Sequence, residues 1–113
     1  STGVFSILDN KWIVQPKKVK PDIDDAAIEA KKDAILSQIE HALLSKDLDK
    51  LRTVKDKITK MRRAGLEATG EWSVENLVFK ILRNLGLIDE LTDKIRELED
   101  QELSLEQQSN VLD

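Results

Sequence analysis

The spacing of its apolar residues constrains this chain more than any other feature. From position 23 onward, Ile, Leu and Val recur at intervals of three and four residues, which places their side chains on one face of an α-helix. The few Gly and Pro residues fall between these stretches and separate them. The pattern predicts a mainly all-α, four-helix bundle-like domain with helices over about 23–44, 46–64, 74–85 and 88–102.

Local signals predict where these helices begin and end. Ser45 is placed to cap the start of the second helix, and Gly65 to lie just beyond its end. Ser73 is the predicted N-cap of the third helix, and Gly86 is the predicted left-handed residue that ends it. Residues 66–71 are therefore expected to form a loop.

The first 21 residues differ from the rest. Residues 4–8 and 11–15 are rich in β-branched and aromatic residues around Asp-Asn, which predicts a β-hairpin. An isolated hairpin is marginal in water, so we expect its apolar side chains to contact a partner. The candidate partner-binding residues are Phe5, Ile7, Trp12 and Val14. The predicted organisation is a hairpin and basic linker over 1–21, a helical domain over 22–105 and a frayed tail over 106–113.

Charge is distributed unevenly although the net charge is only −4. Residues 45–63 carry eight basic and three acidic side chains, whereas residues 87–113 carry two basic and nine acidic ones. Local neutralisation between neighbouring helices is one interpretation. The other is a positive surface for nucleic acid, for which the candidate residues are Lys17, Lys18, Lys20, Lys50, Lys57, Lys60, Arg62 and Arg63. The basic residues of the second helix fall on both flanks of its apolar seam, which weakens this interpretation.

A helix-turn-helix is a further hypothesis, with residues 73–84 as the recognition helix. The predicted connection, from Gly65 to Trp72, is longer than the usual three or four residues of that motif. The third helix is also strongly apolar, which is typical of a core helix. We expect Trp72 to pack against Leu77 at the start of that helix.

Few residues could support catalysis or metal binding. Cysteine is absent, and the single histidine, His41, has no carboxylate three or four residues away on its helix. The acidic group of Asp22, Asp24, Asp25 and Glu29 lacks the spacing of a calcium loop and is explained by helix capping. We therefore expect no enzyme activity, no cofactor, no metal and no small-molecule substrate.

The sequence contains no signal peptide pattern and no apolar stretch long enough to cross a membrane. Together with the absence of cysteine, this predicts a soluble protein in the cytoplasm that has no membrane partner.

Two functional hypotheses follow. The first is a non-catalytic helical adaptor or assembly module that binds another protein, or itself, through the N-terminal hairpin and an amphipathic helix seam. The second is a nucleic-acid-binding protein that uses the basic helix over 46–63 and the linker lysines.

Overall fold

A computed structural model describes the backbone of residues 3–6, 11–14 and 22–112 and the side chains of residues 22–110. Its four helices are α1 (Asp25–Ser45), α2 (Leu48–Thr69), α3 (Val74–Asn84) and α4 (Leu87–Leu112), with a 3-10 turn at Gly70–Trp72. The mainly helical fold predicted from the sequence is confirmed. Two short strands, β1 (Gly3–Ser6) and β2 (Lys11–Val14), pair antiparallel near the N-terminus. The residues joining these strands lie outside the described residues, so the hairpin as a docking element stays a prediction.

One hydrophobic core joins the four helices. All three other helices pack against α3, and α2 also packs against α1 and α4. The side chains with no exposed surface are Ile39, Leu51, Val78, Leu82 and Leu91. Each belongs to a seam predicted from the apolar spacing, so that spacing identified the core correctly. Leu85, at the end of the strongly apolar third helix, is 60% exposed.

Three helix ends have the predicted caps. Asp24 accepts a hydrogen bond from the amide of Ala27, and Ser73 accepts one from the amide of Asn76. Gly86 has a φ of 78°, which is the left-handed conformation expected after α3.

The start of α2 was predicted wrongly. The hydroxyl of Ser45 donates to the carbonyl of Ala42 and accepts from the amide of Asp47, so it ends α1. Asp47 caps α2 instead, by accepting from the amides of Asp49 and Lys50. Lys46, between the helices, has a positive φ of 54° and breaks the helical path.

The end of α2 was also predicted wrongly. Gly65 lies inside the helix and is buried, and α2 continues to Thr69. A Cβ atom at Gly65 would lie 2.6 Å from both the Cβ of Glu75 and the Oγ of Ser73. Glycine is therefore present because α2 and α3 approach closely here, and it does not end the helix. The predicted loop over 66–71 is replaced by helix and the short 3-10 turn.

The predicted end of the fourth helix at residue 102 is also wrong, because α4 is helical to Leu112 and includes residues 106–112 of the predicted tail. Residues 99–112 contain neither Gly nor Pro, so nothing in the backbone ends the helix there. Every described side chain from Glu99 to Asn110 is exposed. We call residues 99–112 the α4 extension.

Candidate docking surfaces

A groove runs between α1 and α2. At one end, a cavity of about 580 Å³ has an apolar floor formed by Ala34, Ile35, Met61 and Ala64. A second cavity of about 380 Å³ continues along the same pair of helices over Ala42, Val54 and Thr53. Gln38 lines both cavities. We call the two cavities together the α1–α2 groove.

Lysines surround this groove. Lys31, Lys57 and Lys60 line the larger cavity, and Lys50 lines the smaller one. The Lys57 ammonium donates to Oε1 of Gln38 at 2.8 Å, and Lys60 lies 2.9 Å from a carboxylate oxygen of Asp56. Across residues 22–110, Lys50 and Lys57 form no ion pair. Glu75 and Asp49 also line the cavities, and Lys31 and Lys60 are paired with Glu75 and Asp56. The groove thus combines an apolar floor with a rim whose uncompensated positive charge comes from Lys50 and Lys57.

The candidate nucleic-acid residues do not form one surface. Lys50, Lys57 and Lys60 line the α1–α2 groove, but Arg62 faces α3. Its guanidinium carbon lies 4.6 Å from the centre of the Phe79 ring, and its Nε donates to Asn76 at 3.4 Å. Arg63 is exposed, while Lys17, Lys18 and Lys20 lie outside the described residues.

The joint between α2 and α3 is dense and polar. Ser73 and Asn76 are 4% and 3% exposed, and the Asn76 amide donates to the carbonyl oxygen of Glu71 at 2.8 Å. Lys31 reaches Oε1 of Glu75 at 3.3 Å and so connects α1 to this joint. A hydrogen bond from its own backbone amide, helped by Lys31, holds the pKa of Glu75 below its ordinary value of 4.5. We call Gly65, Ser73, Glu75 and Asn76 the α2–α3 joint.

The structure of this joint bears on the helix-turn-helix hypothesis. The connection from α2 to α3 is only Gly70–Ser73, so the prediction of a connection too long for a helix-turn-helix is wrong. Asn76 and Leu82 on one side of α3 are buried, whereas Lys80, Arg83 and Asn84 are exposed, so the helix-turn-helix stays an untested hypothesis. Trp72 is 41% exposed at the end of the connection.

The α4 extension is the second candidate surface. Leucines occur every seven residues along α4, at positions 91, 98, 105 and 112. Leu91 is fully buried and Leu98 is half-buried against the core, whereas Leu105 is 66% exposed. Leu103, on another face of the helix, is 54% exposed. The seam that packs inside the protein therefore continues on a part of the helix that nothing covers among the described residues.

An ion pair marks the point where α4 leaves the core. The Arg52 guanidinium donates to Glu99 at 2.8 Å across the α2–α4 interface. This hydrogen bond raises the pKa of Arg52 above its usual value. Beyond Glu99, the extension has three further carboxylates, Asp100, Glu102 and Glu106, and no Lys or Arg.

The other predicted features add no chemical site. His41 is exposed at the edge of the smaller cavity. No group of three or more acidic or histidine side chains within residues 22–110 is arranged to hold a metal ion. No helix in the described part of the chain is long and apolar enough to cross a membrane. The side chains of Phe5, Ile7, Trp12 and Val14 lie outside the described residues, so their partner-binding role stays a prediction.

Comparison of the chain with protein-family models, with curated proteins and with solved structures finds no match in any of the three.

The sequence predicted an amphipathic helix seam as a contact, but not that the α4 seam extends beyond the core, nor that a groove lies between α1 and α2. The seven-residue leucine spacing could have identified the extension, but the predicted helix ends at residue 102 and the predicted frayed tail covers 106–113. The groove had a weaker signal. Ala34, Ala42 and Ala64 are small enough to leave space between two helices. Their spacing in the sequence does not reveal whether a third helix fills that space.

Proposed function

We propose that this chain is a non-catalytic helical interaction module that binds another protein through the apolar seam of the α4 extension. The observation that carries the proposal is the exposure of Leu105 on the same seam that buries Leu91. Apolar side chains at seven-residue spacing on a helix pack against a further helix, so the exposed part offers a helix-docking strip. The N-terminal residues Phe5, Ile7, Trp12 and Val14 remain a second candidate contact.

Site-specific photo-crosslinking tests this proposal. A photoreactive amino acid at position 105 should form a discrete protein adduct in cells that express the chain. The same amino acid at Lys80, which is exposed on α3, is the matched control and should form no such adduct. A second probe at Gln101, one helical turn before Leu105, should form the same adduct and should lose it when Leu103 and Leu105 are both changed to Glu. Equal labelling from positions 105 and 80, or none from either, contradicts the proposal.

Nucleic-acid binding is the second candidate, and one observation favours it. Lys50, Lys57 and Lys60 line one groove rather than being scattered over the surface. Fluorescence anisotropy with single- and double-stranded DNA and RNA tests it directly. Micromolar binding that weakens steeply with salt and is lost in Lys57→Glu/Lys60→Glu supports this function. No binding at low salt eliminates it.

A further inference from the structure

The α4 extension and the α1–α2 groove have complementary properties. The extension presents exposed leucines and carries four carboxylates, at positions 99, 100, 102 and 106, with no basic residue. The groove presents an apolar floor, lysines at positions 31, 50, 57 and 60, and carboxylates at positions 49 and 75, so the net charge of its lining is positive. Opposite charges around matching apolar surfaces select a partner and its register.

The two elements also match in length. The groove is lined along α1 from Lys31 to Ala42, which is about 17 Å of helix at the standard rise per residue. The extension from Glu99 to Leu112 is about 20 Å long by the same measure. One extension is therefore sufficient to fill the groove over both cavities.

The extension of a chain is directed away from the groove of that same chain. Glu99 pairs with Arg52, which lies on the flank of α2 opposite to Lys57. Because α4 is a continuous helix through this point, its extension leaves the bundle along that opposite flank. Only the extension of another molecule can reach the groove without breaking α4.

Charge argues against the two other occupants that this chain could supply. Residues 1–21 carry four lysines and one aspartate, so they have the same sign as the rim of the groove. Two extensions packed against each other would bring six carboxylates together, those at positions 100, 102 and 106 of each chain, with no basic side chain on either extension to balance them. The groove of a second copy offers the missing positive charge.

We propose that the α4 extension of one molecule occupies the α1–α2 groove of a second copy of this chain. The seam around Leu105 faces Ala34, Ala42 and Ala64, where small side chains leave room for a helix. Asp100, Glu102 and Glu106 lie among the groove lysines. Reciprocal exchange of the two extensions closes as a twofold dimer, and one-way exchange gives longer chains. This inference rests on the proposed use of the extension as an interaction surface.

Sedimentation velocity of the purified full chain, from about 1 μM to about 1 mM, tests the inference. Wild-type protein should associate as its concentration rises. Leu105→Glu should remain monomeric, and Lys57→Glu/Lys60→Glu should raise the dissociation constant about tenfold or more. Lys80→Glu is the control, because it makes the same lysine-to-glutamate change at an exposed position on α3. This variant should associate like wild type. Circular dichroism and urea unfolding of each variant establish that the bundle is folded.

A charge-exchange experiment sharpens the test. Asp100→Lys/Glu102→Lys/Glu106→Lys should associate poorly alone, as should Lys57→Glu/Lys60→Glu. When mixed, the two should form a heterodimer, because a positive extension meets a negative groove. That recovery supports docking of the extension in the groove and cannot arise from unfolding of either variant.

Four results overturn the inference. The first is a wild-type protein that is monomeric throughout, and the second is a charge exchange that restores no association. The third is association that is lost in Leu105→Glu but unchanged in Lys57→Glu/Lys60→Glu, which shows that extensions pair with each other. The fourth is association that survives Leu105→Glu but is lost in Phe5→Ser/Trp12→Ser, which assigns the contact to the N-terminal segment.

The failure of this inference is distinguishable from that of the proposed function. A monomeric wild type that still forms a specific adduct with a different protein from position 105 refutes self-association and retains the interaction module. A monomeric wild type with no adduct refutes both.

Discussion

The α2–α3 joint and the α4 extension are both places where a helix continues beyond its predicted end, for opposite physical reasons. At the joint, α2 continues past Gly65 because the absence of a side chain allows the start of α3 to pack against it. In the extension, α4 continues past Glu102 with all described side chains exposed, so only local helix preference and the preceding turns support it. Helical continuity alone therefore does not show that a segment belongs to the core.

Seam spacing has the same limitation. Leucines at positions 91 and 105 occupy equivalent places on α4, yet one is fully buried and the other is 66% exposed. Whether a seam position is covered depends on the length of the neighbouring helix. Here α2 begins at Leu48, close to the Arg52–Glu99 pair, and offers no further surface to cover α4.

The largest expected difference between the two regions is in the cost of removing a leucine. Leu82 on α3 is fully buried, so Leu82→Ala should lower the free energy of unfolding by about 2–5 kcal/mol. Leu105→Ala makes the same chemical change in the extension and should alter it by less than about 0.5 kcal/mol in dilute protein. Urea denaturation followed by circular dichroism measures both. Similar losses of unfolding free energy for the two variants would contradict the difference in burial between Leu82 and Leu105.

The second difference between the two regions is in how a substitution to alanine changes the free energy of unfolding. Glycine to alanine normally stabilises a helix interior, but the Cβ of Gly65→Ala would meet Ser73 and Glu75 at 2.6 Å. We expect this variant to be destabilised by about 1–3 kcal/mol because of overpacking. Ser104→Ala, a change to a better helix former in the extension, should leave the free energy of unfolding unchanged.

Thermal and urea unfolding of Gly65→Ala decide the sign of this effect. The neighbouring Ala64 is exposed, so Ala64→Gly controls for backbone preference and should cost only about 0.5–1 kcal/mol. A Gly65→Ala variant more stable than wild type would show that the close approach of α2 and α3 is not a packing constraint.

The smallest expected effect is a pH dependence confined to the joint. Because folding lowers the pKa of Glu75, the ionised carboxylate contributes stability above its ordinary value of 4.5. This stability is lost as the pH falls through the lower pKa of the folded state. Glu75→Gln should therefore be less stable than wild type at neutral pH, and the difference should disappear as the pH falls from about 5 to about 3.

Urea titrations at several pH values measure this difference. The larger cause of the lowered pKa is the hydrogen bond from the backbone amide of Glu75, and Lys31 contributes less. Lys31→Gln should therefore reproduce only the smaller part of the effect. A difference between wild type and Glu75→Gln that stays constant across this pH range would show that folding does not perturb the carboxyl group.

Helix periodicity, the caps of α3 and the apolar seams that supply the core could be predicted from the sequence, because these patterns depend on residues a few positions apart along the chain. Ser73 and Gly86 have the predicted roles, and Ile39 and Leu91 are buried as expected. The role of Gly65 could not be predicted, since it depends on residues that meet it only after α3 folds back. The groove could not be predicted from the sequence for a related reason. It exists only where two helices pair and no third helix covers them.

Hydrogen exchange along α4 tests most directly whether the helix changes role after Leu98. In dilute protein, we expect the amides of residues 91–98 to exchange with a free energy of opening close to that of global unfolding. The amides of residues 103–110 should exchange much faster, because no other part of the bundle holds this helix in place. Equal protection along the whole of α4 at high dilution would contradict this account, since the extension would then belong to the same cooperative unit as the core.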